Sequence, residues 1–96
     1  MPQSIGTVET RSLVGAIEAA DAMLKAARVQ ILDFSLVGSG LIAVVVSGEV
    51  AAVQAAVDSG WAAAEKVAEV VSRNVIANPH NDIGKLMGNE VSEDGK

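Results

Sequence analysis

His80 is the one imidazole in the 96-residue chain, and it follows Pro79 where a strand is expected to stop. An imidazole can move protons or bind a metal, but both tasks need partner groups gathered around it. Here there are only scattered carboxylates, so His80 reads as a hydrogen-bonded turn residue. Glu9 reads as a solvated or ion-paired carboxylate. Glu18 and Asp21 share a helix face with Lys25, which is ordinary surface patterning, and Asp21–Lys25 is an i,i+4 pair. Gly38-Ser39-Gly40 could suggest a phosphate cradle, but no Lys and Ser/Thr follow it. A strand also replaces the helix N-terminus that such a loop needs. No catalytic residue, metal site or cofactor is expected, and the chain does not read as an enzyme.

Composition narrows the partners. Seven basic against twelve acidic residues give a net charge of −5, the wrong sign for a nucleic-acid footprint. Phe34 and Trp61 are the only aromatic residues, too few for a base-stacking platform. With no cysteine, disulfides, thiolate zinc sites and iron–sulfur clusters drop out. The first residues, Met1-Pro2-Gln3-Ser4, lack the basic and apolar blocks of a signal peptide. Leu41 to Val46, the longest apolar run, is far short of the ~20 residues that cross a bilayer. The expectation is a soluble intracellular protein that binds neither membrane nor nucleic acid. Half of the residues are hydrophobic, most of them Ala and Val. Such small side chains bury little area each, and a chain this size buries only about two-thirds of its unfolded surface. Association with copies of itself is therefore expected.

Periodicity supplies the elements. Ile5–Thr10 reads as a strand. Leu13, Ala16, Ile17, Ala20, Met23, Leu24 and Ala27 recur at helical spacing behind Ser12, a fitting N-cap. Val29 to Val37 reads as a strand with both faces partly covered. Gly38-Ser39-Gly40 breaks it, and Leu41–Val46 resumes as a central strand, the two forming a hairpin. A second helix starts near Glu49 and carries its spacing to Val71. Asp58-Ser59-Gly60 implies one helix bent at Gly60 or two short ones. Arg73 to Ala77 reads as the last strand, stopped by Asn78-Pro79. A short helix is expected from His80 to Leu86, and an acidic disordered tail over 88–96. The order β-α-β-β-α-β is the ferredoxin-like α+β arrangement, with a four-stranded antiparallel sheet and helices on one face.

The blocks Ile5-Gly6-Thr7-Val8-Glu9-Thr10-Arg11-Ser12-Leu13-Val14 and Ala16 to Ala27 resemble the opening of a single-domain hexameric shell protein of bacterial microcompartments. The likeness continues through Val37-Gly38-Ser39-Gly40-Leu41, Gly48-Glu49-Val50-Ala51-Ala52-Val53 and Val75-Ile76-Ala77-Asn78-Pro79-His80. It implies a shell domain over residues 1–87 and a place in the cytoplasm, in the shell itself. It implies cyclic homohexamers that tile edge to edge with neighbouring hexamers and other shell proteins around a set of enclosed enzymes. It also implies a central pore for small polar metabolites, lined by Val37, Gly38, Ser39 and Gly40. By the same match, Asp21, Lys25, Arg28, Asn78, Pro79 and His80 belong to the hexamer edge, with Lys25 lying against its counterpart on the next hexamer.

Three residues depart from the family pattern. Asn78 stands where an arginine commonly crosses the edge, and Arg28 is the candidate to replace part of that contact. Leu36 stands where a charged or polar residue is frequent near the pore. Trp61 replaces a small residue and is assigned to a subunit interface or partner surface. The competing reading is a ferredoxin-like regulatory module that binds a small molecule and dimerises through its sheet. No distinctive ligand signature in the sequence supports it.

Overall fold

In the computed structural model, residues 3–77 are described. Asn78, Pro79, His80, the expected short helix and the acidic tail lie outside the described residues. The elements run β1 (Ser4–Thr10), α1 (Leu13–Ala26), β2 (Gln30–Gly38), β3 (Leu41–Gly48), α2 (Val50–Glu65) and β4 (Val70–Ile76). The strands form one antiparallel sheet in the order β2-β3-β1-β4. Each β-α-β half thus interleaves with the other, as the ferredoxin-like order requires.

Alternation along β1 decides which face is covered. Ser4, Gly6, Val8 and Thr10 are buried, while Ile5, Thr7 and Glu9 between them are half-buried. Gly6 pairs with Val46 and Val8 with Val44, so two cross-strand pairs lie on the covered face. Ala16, Ala19 and Met23 of α1 and Val53, Ala56, Val57 and Ala64 of α2 complete the core with them. Both helices therefore pack on the same side of the sheet. Small residues set the spacing. A methyl group at Gly6 would lie 2.5 Å from Val57 Cγ2 and 2.6 Å from Val53 Cγ1, closer than carbon atoms pack. α2 can approach β1 only because that position carries no side chain.

The first helix starts as its sequence predicts, with Ser12 in extended conformation and its hydroxyl accepting the Gly15 N–H at 3.1 Å. The structure decides one open alternative and changes three expectations. α2 is a single helix through Asp58-Ser59-Gly60, because Gly60 faces Met23 and the Ala19 carbonyl, where a side chain would collide. It also stops at Glu65 rather than carrying its spacing to Val71; the Val67 and Ala68 N–H groups both turn back to the Ala64 carbonyl. β4 accordingly starts at Val70, three residues before the expected Arg73, because pairing with Thr10 of β1 recruits the extra residues. Finally, β3 is central as expected, but β2 is an edge strand and largely exposed, not covered on both faces.

Candidate functional site

The two strands of the β2–β3 hairpin meet through Ser39 and Gly40, with Gly38 paired to Leu41. Three successive residues have positive φ: Gly38 at 110°, Ser39 at 52° and Gly40 at 78°. Positive φ at both connecting residues is the sign of the type I′ hairpin, whose twist matches that of its strands. Glycine takes this conformation freely. No atom lies within 4 Å of where a Cβ would sit on Gly38 or Gly40, so within one chain the loop tip is open. Ser39 is the strained member, since a left-handed residue with a Cβ costs about 1–2 kcal/mol. Asn tolerates that region better. Ser39→Asn is thus expected to raise the unfolding free energy by roughly 0.5 kcal/mol, read as a higher urea midpoint at unchanged slope.

One described side chain from outside the hairpin holds this loop. Arg11, in the β1–α1 connection, donates from Nη1 to the Ser39 carbonyl at 3.3 Å. Sequence reasoning passed over Arg11 because nothing in local spacing links it to a loop 28 positions away. Val37 and Leu36, at the end of β2, are both exposed, Leu36 to 69 %.

Of the residues assigned to an edge, Asp21, Lys25 and Arg28 are described, and they lie towards the other end of β2 and α1. Lys25 Nζ lies 3.0 Å from Asp21 Oδ2 on the last turns of α1, and both side chains are mostly exposed. Such an i,i+4 pair adds only about 0.3–0.5 kcal/mol, so it orients the lysine more than it stabilises the fold. Arg28 follows in the turn that enters β2, and is exposed. β2 then carries the chain from Gln30 to Gly38, which at about 3.3 Å per residue separates Arg28 from the loop by roughly 25 Å. The loop and the described edge candidates are thus held apart by the length of β2 and of α1.

Other singled-out residues find partners inside the chain. Glu9 accepts a hydrogen bond from the Ser72 hydroxyl at 2.6 Å across β1 and β4. Trp61 is half-buried on α2, with the Arg73 guanidinium 4.5 Å above its ring, and Arg73 also lies 3.5 Å from Asp58. A cation over an indole is favourable by about 0.5–1 kcal/mol at such sites, and this gives the tryptophan an intrachain use. Among the described residues no group of three or more His, Cys, Asp or Glu side chains is placed to hold a metal. No helix among them is long and apolar enough to cross a membrane.

The BMC domain family pattern matches residues 4–79, which spans every described element. The chain belongs to the BMC-domain family. It is 47% identical over 91 residues to the bacterial microcompartment shell protein PduA of Salmonella typhimurium, covering 95% of this chain and 97% of that protein. The carboxysome shell protein CsoS1 of Prochlorococcus marinus is 47% identical over 87 residues, 90% of this chain and 84% of the relative. Among solved structures, a microcompartment protein from Desulfitobacterium hafniense superposes with a TM-score of 0.74 at 42% identity. That match covers 81% of this chain and 42% of the longer one. PduA and CsoS1 are by name shell proteins of two kinds of compartment. The role of this BMC-domain chain is structural, in the shell of a bacterial microcompartment and alongside other shell proteins, and it is not an enzyme.

Proposed function

We propose that the chain forms cyclic homohexamers whose six Gly38-Ser39-Gly40 loops converge on the symmetry axis as a pore for small polar solutes, with Val37 at its approach. The edges of the hexamer, carrying Asp21, Lys25, Arg28, Asn78, Pro79 and His80, join it to neighbouring hexamers. The shell domain extends over residues 1–87 with 88–96 as a tail, and enclosed enzymes are further partners of the assembled shell.

The observation that carries this reading is the loop. Its three residues have positive φ, and its two glycines have open space where side chains would stand. A tip of that kind lets several backbones approach one another closely. A second observation supports association. Leu13, Val14, Ile17 and Leu24 of α1 and Leu32, Phe34 and Leu36 of β2 are all exposed in the single chain. So many large apolar side chains left open in a domain this small mark a surface that another copy covers.

Sedimentation velocity tests the reading directly. A particle about six times the 9.8 kDa chain is expected, and concentrated protein should form sheets or tubes with hexagonal order under the electron microscope. A stable dimer with no higher species would refute it.

A further inference from the structure

Register across the sheet puts residues of its two edge strands on common lines. Phe34 of β2 pairs with Val44, Val44 with Val8, and Val8 with Arg73 of β4. Directly paired residues share a face, and Val8 and Val44 belong to the core under the helices. Phe34 and Arg73 therefore lie on the helix side at one level along the strands, at opposite edges of the sheet. The two edges offer different things. Phe34 is 39 % exposed between the exposed Leu32 and Leu36, and Asp33 beside it is the only charged residue of β2. At the other edge a cleft of about 300 Å³ opens between α2 and β4, with Asp58, Arg73 and Asn74 among its walls. Trp61 covers one face of the Arg73 guanidinium at 4.5 Å, while Asp58 approaches only Nη1, at 3.5 Å. Among the described residues no second ring stands against the guanidinium.

We propose that the β2 edge of each copy seats in the α2–β4 cleft of the next, with Phe34 closing over the open face of Arg73. The cation is then held between Trp61 of its own chain and Phe34 of the neighbour, the two aromatic residues of the sequence. This rests on the hexamer reading above. With the hairpin loops on the axis the strands run outward from it, β2 at one flank of the sheet and β4 at the other. Copies related by rotation meet head to tail, one flank against the other. Residues on one line across the strands stand at about the same distance from the axis, so Phe34 arrives at the level of Arg73. The charges agree as well. Asp33 is acidic where Arg73 is basic, and the face of an aromatic ring is itself attractive to a cation. The uncovered face of the sheet offers no such fit, because Thr7, Glu9 and Ser72 make its β1–β4 half polar.

The chain contains no cysteine, so an introduced pair reports the contact. Ser35 and Ser72 share the next line across the sheet, through Ala43 and Glu9, and both are partly exposed. Within one chain three strand spacings keep them roughly 14 Å apart. A bis-maleimide shorter than that separation is expected to link Ser35→Cys/Ser72→Cys into a ladder of up to six chains on a denaturing gel, and to leave either single variant monomeric. Dimers from Ser35→Cys alone, or no ladder from a double variant that sediments as a hexamer, overturn the edge pairing. Phe34→Tyr, which keeps the ring face, is expected to dissociate at the wild-type concentration. Phe34→Leu and Arg73→Gln should raise that concentration about tenfold. A Phe34→Leu hexamer as stable as wild type overturns the stacking on Arg73. A wild-type chain that sediments only as a dimer overturns the hexamer reading instead.

Discussion

Met23→Ala is expected to lower the unfolding free energy by about 2–5 kcal/mol. Met23 is fully buried and is the largest fully buried side chain of a core otherwise built from Val and Ala. Its neighbours are backbone-bound methyl groups and stiff valines, which cannot collapse far into the space it leaves. Gly60 makes the site a test of packing rather than of hydrophobicity alone. A Cβ there would stand 2.6 Å from Met23 Cγ, 2.9 Å from Sδ and 3.3 Å from the Ala19 carbonyl oxygen. Gly60→Ala alone is thus expected to cost about 1–3 kcal/mol from overpacking, partly offset by up to about 1 kcal/mol of better helix propensity. In the double variant the new methyl enters space that methionine has vacated. The combined loss should fall short of the two single losses added together, by about 0.5–3 kcal/mol. Urea unfolding at one fixed protomer concentration measures this, since association contributes to the apparent stability. Strict additivity would show that α1 and α2 do not meet through this pair.

The second large effect concerns assembly. Lys25→Ala is expected to abolish ordered sheets and tubes while the particle seen in sedimentation keeps its size. The two readouts separate because the lysine does little for the fold. Its contact with Asp21 is exposed on both sides, and losing it changes stability by at most about 0.5 kcal/mol. At an edge, by contrast, the same side chain would meet its symmetry mate, with the aliphatic stem packed and the ammonium free to reach backbone carbonyls. In the proposed hexamer that contact would repeat around the rim, so a small loss per edge would remove long-range order entirely. Asp21→Ala, which frees the lysine without deleting it, should weaken sheets less. Hexagonal order surviving in Lys25→Ala would contradict the edge assignment.

The elements were readable wherever local pattern and burial agree. The helical spacing of α1, of which Ala16 and Met23 are buried while Leu13, Ile17 and Leu24 stand exposed, its Ser12 cap and the glycine-bounded hairpin all depend on residues within a few positions of one another. Where they disagree, the reading slipped. Val67, Ala68 and Val71 keep helical spacing, yet the chain after Glu65 turns and pairs with β1. Gly60 looks like a break, yet it is the contact that lets a continuous helix pass over Met23. In both places a long-range partner overrode the local signal.

The sequence by itself determined the order of strands and helices, the family likeness and the small-residue loop that could meet its copies. Each is a property of residue type and short spacing, set before any chain folds. Only the tertiary structure decided that Arg11 grips the Ser39 carbonyl, that Glu9 serves Ser72, and that Trp61 lies under Arg73. It also set the hairpin loop apart from Arg28 by the length of β2. These pairings join residues that are distant along the chain, and their geometry comes from sheet register and helix packing. No local periodicity encodes either.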